Sequence, residues 1–258
     1  MKKQLNEPIK GFASLLSFLT IIPTGTHDIE LAAKYFYLVP AIGLVEGLIA
    51  GVVMLTNISA ILKAVIVMCT LFIITGFNHI DGFADFTDVL ASRRRGKEAL
   101  KILKEPYRGA IAIASTALLI LVTYVSVMHI ALQGQGLSHI VVITVLSSES
   151  MYLLTVLSRE PDYHGLGRLF ISKSKNRANI LSNLLLLFII FTCIYFMFNY
   201  KITYTVITFL STILCTLCVL RKAHEVLGYV TGDVMGFCFE LNKTLNLLII
   251  AIVSSIGI

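Results

Sequence analysis

The chain has 258 residues, 57% of them hydrophobic and 14% charged, and a net charge of +6. Soluble domains average about 25% charged residues, so this balance argues against a water-soluble fold and for a bilayer as solvent. The positive charge is not backed by a basic stripe with interleaved aromatics, which argues against nucleic acid as a partner.

The first element along the chain is Phe12 to Ile22, preceded by Lys2, Lys3 and Lys10. It imitates a signal peptide, but no small-x-small cleavage site follows, and Pro23 with Gly25 breaks the run, so it is read as retained. About a dozen residues are too few to cross roughly 30 Å of hydrocarbon, which predicts a re-entrant or interfacial helix. Seven later segments are long enough to cross: 35–56, 58–78, 109–132, 139–157, 180–198, 202–220 and 236–257. Glu46 falls mid-span between Gly43 and Gly47, with Gly51 one turn on. That setting suits either a functional intramembrane group or a tight helix contact holding a hydrogen-bonded Glu. Cys215 and Cys218 form a lone Cys-x-x-Cys inside the apolar run 202–220, which suits packing rather than redox or zinc chemistry. His129 and His139 are expected near the outer interface, whereas His164 and His224 fall in cytoplasmic segments and are candidates to meet substrate.

The connections alternate in character. Of the 21 Lys and Arg, all but Lys63 and Lys201 lie in 1–34, 79–108, 158–179 and 221–243. The positive-inside rule puts the N-terminus and those segments in the cytoplasm and the C-terminus outside. Of the 15 acidic residues, 13 lie in those same segments, and the two exceptions, Glu46 and Glu149, each fall near the middle of a predicted span. Polar groups collected on one side predict an enzyme working at the cytoplasmic face. No polar stretch is long enough to bury a core of its own. The expected fold is therefore all-α: one integral membrane helical bundle over 1–258, with about seven transmembrane helices and a short N-terminal helix.

The chemistry concentrates in His79-Ile80-Asp81-Gly82-Phe83-Ala84-Asp85-Phe86-Thr87-Asp88. On a helix, Asp81, Asp85 and Asp88 at i, i+4 and i+7 share roughly 60° of arc. No Lys or Arg stands at i+3 or i+4 from them to relieve the repulsion. Oxygen-only ligands of this kind suit magnesium or manganese, with open positions for water and phosphate. His79 is placed to contact a phosphate or orient an Asp. Arg93, Arg94, Lys104 and Arg108 follow, either as membrane anchors or as a clamp for a diphosphate, and Lys97 to Tyr107 has the pattern of an interfacial helix. The chemistry this predicts is metal-assisted phosphoryl or phosphodiester transfer, with one carboxylate taking the proton of an attacking hydroxyl. Near the last span, Gly228, Gly232 and Gly236 allow close helix approach. Asp233 among them is expected to complete the metal shell or position an acceptor.

The segment His79 to Asp88, followed by Glu98-Ala99-Leu100, Lys104 and Arg108-Gly109-Ala110, resembles the signature of the cobalamin synthase family. Three further stretches match in order: Leu16 to Pro23, Gly165-Leu166-Gly167, and Gly228 to Gly236 with its Thr231-Gly232-Asp233. The resemblance covers nearly the whole chain. It implies a magnesium-dependent membrane transferase that joins adenosylcobinamide-GDP to α-ribazole or its 5′-phosphate, releasing GMP. Mg2+ would sit on Asp81, Asp85 and Asp88. Catalysis would use Asp85 or Asp88 as general base, with His79. Substrate would be held by Arg93, Arg94, Lys104, Arg108, Thr231, Gly232 and Asp233. The expected setting is the cell membrane of a prokaryote, with the site on the cytoplasmic face and a homo-oligomer allowed by the small-residue spacings. This sequence departs from the family where an Arg is usual: at Ile21 or Ile22, just ahead of Gly165, and at Glu149. Two rivals are a CDP-alcohol phosphotransferase, whose longer Asp pattern is missing here, and a corrinoid or ion-coupled transporter using Glu46 and Glu149.

Overall fold

The computed structural model describes residues 7–162 and 165–256. The described residues form twelve α-helices with two short 3-10 turns and contain no strand. His164, a sequence candidate for substrate contact, lies outside the described residues. The N-terminal segment forms α1 (Glu7–Leu19), which buries Gly11, Ser14, Leu15 and Leu19 along one stripe. α2 (Ile29–Lys34) follows, its first turn capped by Asp28, whose carboxylate accepts the Leu31 N–H at 3.0 Å. Lys34 pairs with Glu7 at 2.6 Å and ties the two helices together.

Six helical stretches are long and apolar enough to cross a membrane. The first is Phe36–Leu55, built on α3 (Val39–Gly51) with a 3-10 turn at each end. The others are α7 (Ala110–Ala131), α8 (Gly136–Leu157), α10 (Arg177–Phe198), α11 (Ile202–Val226) and α12 (Gly232–Ser255). A seventh is reached only if α4 (Ala60–Ile74) is counted together with the helix that follows it. α4 turns through 82° into α5 (Asn78–Ser92). Gly76 and Phe77, at φ 59° and 61°, make that turn. α5 thus leaves the direction of α4. The short helices α6 (Lys97–Ile102) and α9 (Leu166–Ser174) are the remaining two. The bounds of the six long stretches fall within six residues of the predicted segments, and the predicted 58–78 corresponds to α4 and its turn.

α8 is the central helix, buried along most of its length. α3 packs on it through Gly43, Gly47 and Gly51. A Cβ on Gly43 would stand 2.5 Å from the Thr144 carbonyl oxygen, and one on Gly51 would meet Leu137. Only glycine permits that spacing, the small-xxx-small device of membrane helices. Large apolar side chains on α10 and α11, such as Leu181, Phe188, Leu210 and Leu214, stay exposed and form the lipid-facing surface.

The connections sort to two ends. At one, the long polar segments bond to one another. The Gly96 N–H donates to the Val226 carbonyl at 2.7 Å, and the Val230 N–H to Ser158 Oγ at 3.1 Å. The Arg159 N–H donates to His224 Nε2 at 3.3 Å, so His224 serves the backbone. At the other end the links are short, and Lys63 donates to the Met54 carbonyl at 3.0 Å. His139 lies in the first turn of α8, at the end with the short links where the sequence put it. It is buried, with Nδ1 2.8 Å from the Tyr200 hydroxyl.

Glu240 and Lys243 depart from expectation. The sequence assigned both to a cytoplasmic segment, but α12 begins at Gly232, and they lie fully buried in its interior. Their i, i+3 spacing lets Lys243 Nζ reach Glu240 Oε1 at 2.7 Å. The ammonium also sits 4.8 Å from the Phe72 ring centre and 5.0 Å from that of Phe239. A charge survives such burial only when paired this way.

Candidate active site

α5 carries the acidic residues on a helix, as their spacing required. Phe83 and Phe86, on its inner face, pack on Phe237 of α12 with ring centres 5.0 and 5.1 Å apart. The two helices cross backbone on backbone. A Cβ on Gly82 would lie 2.9 Å from the Asp233 carbonyl oxygen, and one on Gly236 would lie 3.1 Å from the His79 Cα. These two glycines bring Asp233 beside the α5 carboxylates.

Asp81, Asp85 and Asp88 have distinct surroundings. The Asp81 side chain is 64% exposed and that of Asp85 only 9%. Arg108 reaches back 27 residues: its Nη2 donates to Asp81 Oδ1 at 2.7 Å and forms an ion pair with Asp85 Oδ1, also at 2.7 Å. The cation missing from the local sequence therefore arrives from the start of α7. Asp88 turns elsewhere and accepts the Gly109 N–H at 2.7 Å. That places a carboxylate at the N-terminus of α7, where the helix dipole favours it. A Cβ at position 109 would stand 2.6 Å from the Asp88 Oδ1 and would push the carboxylate aside.

Burial raises the Asp85 pKa to about 6; Arg108 opposes that rise, while Asp81, Asp233 and Asp88 add to it. Burial, followed by the charge of Lys243, lowers His79 to about 3, so its imidazole is neutral. His79 packs on Phe239 with ring centres 4.4 Å apart, and its Nε2 is buried without a protein partner. Thr231 caps α12, its hydroxyl accepting the Val234 N–H at 3.3 Å and donating to Asp233 at 3.4 Å.

A cleft of about 420 Å³ opens at this crossing. α1 contributes Phe18 and Leu19, α5 His79 and Asp81, α9 Leu166 and Gly167, and α12 Gly232, Asp233 and Gly236. Phe36, Met151, Phe170 and Met235 complete the wall. Met235 lay inside the matched stretch Gly228 to Gly236, but nothing in their apolar surroundings marked Phe36, Met151 and Phe170 in the sequence. Arg93 and Arg94 are not brought to this cleft. They lie at the far end of α5, about 18 Å along the helix from Asp81, where they line a second groove with Lys222 and Glu225. Arg94 is paired with Glu98 at 3.0 Å. Lys104 is exposed in the turn after α6.

Among the described residues, no group of three or more His, Cys, Asp or Glu side chains is gathered closely enough to hold an ion. Arg108 and the Gly109 N–H engage the α5 carboxylates instead. The donor chemistry still suits a hard divalent cation. Asp81, Asp85, Asp88 and Asp233 offer only oxygen, from two helices, and one guanidinium leaves their negative charge in excess.

The fold and site define a class: polytopic helical membrane proteins with a carboxylate cluster where two helices cross at the polar end of the bundle. Residues 11–251 match the family model of cobalamin-5-phosphate synthase. The chain belongs to that family. It is 29% identical to the adenosylcobinamide-GDP ribazoletransferase of Clostridium perfringens (strain SM101 / Type A), over 95% of this chain and 98% of that one. It is 28% identical to the enzyme of that name from Clostridium botulinum (strain Alaska E43 / Type E3), over 92% and 95%. With that of Saccharolobus islandicus (strain M.14.25 / Kamchatka #1) it shares 29% identity over 93% and 90%. No solved structure matches the chain.

Proposed function

We propose that this transferase joins adenosylcobinamide-GDP to α-ribazole, or to its 5′-phosphate, yielding adenosylcobalamin or its phosphate and GMP. One observation carries this: the four elements behind the family resemblance, scattered from Phe18 to Gly236, line a single cleft. A ribose hydroxyl attacks the phosphorus next to the corrinoid arm. The new P–O bond forms as the bridging bond to GMP breaks, and its electron pair leaves with the GMP phosphate.

Asp85 is our candidate to take the hydroxyl proton. Its burial raises its proton affinity toward neutral pH, as a general base needs. Asp88 is the weaker candidate for base, since it is held by the Gly109 N–H. Asp81, Asp85, Asp88 and Asp233 would hold Mg2+, which when bound would neutralise the diphosphate and stabilise the leaving phosphate. Arg108 serves as the diphosphate clamp, exchanging its carboxylate partners for phosphate oxygens. Thr231 orients Asp233, and Gly232, whose Cβ position is open space, leaves room for substrate. His79 offers its unpartnered Nε2 to a phosphate or hydroxyl. Arg93, Arg94 and Lys104 touch only the outlying parts of so large a donor. The concentration of Lys and Arg at this end supports a cytoplasmic site in the cell membrane of a prokaryote.

The test is GMP release by purified protein in detergent, supplied with adenosylcobinamide-GDP, α-ribazole and magnesium. Release without sealed vesicles separates a transferase from a transporter. EDTA stops the reaction and added magnesium restores it. Absence of GMP release from folded protein sinks the assignment.

A further inference from the structure

The lining of the cleft is of two kinds. Asp81 and Asp233 supply charge, with the Asn78 amide beside them on α5. Phe18, Phe36 and Phe170 supply a connected aromatic wall. The Phe18 and Phe170 rings are stacked with centres 5.1 Å apart, and Phe36 meets Phe170 edge-on at 4.9 Å. Phe36 and Phe170 are buried, while Phe18 is 38% exposed and ends the series. Another flat ring laid on Phe18 continues the stack.

The volume of about 420 Å³ falls within the ~300–1,000 Å³ of small-molecule sites. A ribosylated bicyclic base fits such a space. A corrin ring with its amide arms and adenosyl group does not. The chemistry of the wall separates the two bases in the reaction. Guanine carries donors and acceptors around its edge, which an apolar wall would leave unpaired at a cost. The benzimidazole of α-ribazole has no exocyclic polar group and loses nothing there.

We propose that the cleft is the acceptor site. The benzimidazole lies against Phe18, and the ribose turns toward Asp81 and Asp233. The corrinoid end of the donor stays outside, and only its diphosphate reaches the carboxylates. Phe18 is thus a specificity-determining residue. The identity of the nucleoside rests on the transferase function proposed above.

The experiment is calorimetric binding of α-ribazole alone, and of GDP alone, to the purified full chain in detergent. Wild type is compared with Phe18→Ala and Phe18→Tyr; Phe18 is exposed enough for both to keep the fold. Losing one base–aromatic stack weakens α-ribazole binding roughly tenfold in Phe18→Ala, while Phe18→Tyr stays within about twofold and GDP binding is unchanged. In turnover, KM for α-ribazole rises in parallel in Phe18→Ala, and KM for adenosylcobinamide-GDP does not. Three results would each overturn the acceptor assignment: no α-ribazole binding by wild type, unchanged binding by Phe18→Ala, or loss of GDP binding instead. Because binding is read without turnover, a wild type that binds α-ribazole but releases no GMP overturns the transferase function alone.

Discussion

Asp81, Asp85 and Asp88 look equivalent on a helical wheel, yet their surroundings differ. Asp85 is buried and shares Arg108 with exposed Asp81. Asp85→Asn keeps the shape and removes the proton acceptor. Its GMP release at saturating magnesium is expected to fall about a hundredfold or more, the usual contribution of a general base. Undiminished turnover would rule Asp85 out. Asp88 has a separate structural duty at the first turn of α7. Asp88→Ala strips the Gly109 N–H of its acceptor and is expected to lower unfolding stability by about 0.5–2 kcal/mol, as loss of a helix cap does. Asp88→Asn keeps an acceptor oxygen and restores most of that stability. If Asp88 also ligates magnesium, Asp88→Asn raises the magnesium needed for half-maximal rate while the Tm stays near wild type.

The crossing of α5 and α12 is the element that makes the site. It depends on Gly82 and Gly236, where a methyl group meets the backbone of the other helix rather than a movable side chain. Gly82→Ala is expected to cost about 1–3 kcal/mol through overpacking and to part the Asp233 and Asp81 carboxylates. Far-UV circular dichroism would stay helical while activity drops. Gly232→Ala is the control, since nothing lies within 4 Å of its Cβ position. It leaves Tm unchanged. If substrate approaches that backbone, only its KM rises. Equal loss of stability in the two variants would refute the crossing as the reason for the glycines.

At the scale of the molecule, the bundle carries charge where lipid would forbid it unless shielded. Lys243, Glu240 and Glu46 are buried together beneath the cleft, and the Oε2 atoms of Glu46 and Glu240 have no protein partner. Lys243→Met leaves Glu240 unpaired and is expected to destabilise the protein by about 3–5 kcal/mol. Adding Glu240→Gln recovers much of the loss, and thermal unfolding in detergent reads both. No recovery would mean that Lys243 acts through its aromatic contacts with Phe72 and Phe239. Orientation is a second property of the whole. After Cys69, Cys193 and Cys218 are replaced by Ser, Lys104→Cys is expected to react with an impermeant maleimide only in inside-out vesicles, and Gln133→Cys only in right-side-out ones.

The sequence alone determined the membrane class, the order and length of the spans, the gathering of polar residues at one end, and the helical face bearing Asp81, Asp85 and Asp88. These follow from apolar length, local periodicity and net composition, which neighbouring residues set without help. It also held the four elements that came to line the cleft, though not the fact that they meet. Tertiary structure decided the partners. Arg108 answers Asp81 and Asp85 from a distant turn, Asp233 faces Gly82, Arg93 and Arg94 fall away from the cleft, and Phe36, Met151 and Phe170 become its wall. Such pairings depend on where helices cross and how closely they approach, and small residues set that at positions far apart in the chain. Lys243 shows the boundary between the two. Its i, i+3 spacing from Glu240 was legible, but its burial followed from four more residues of helix at the start of α12 and from the rings of Phe72 and Phe239 closing over it. Packing gave the three like charges of the acidic helix different surroundings, exposed at Asp81, buried at Asp85 and bonded to the Gly109 N–H at Asp88.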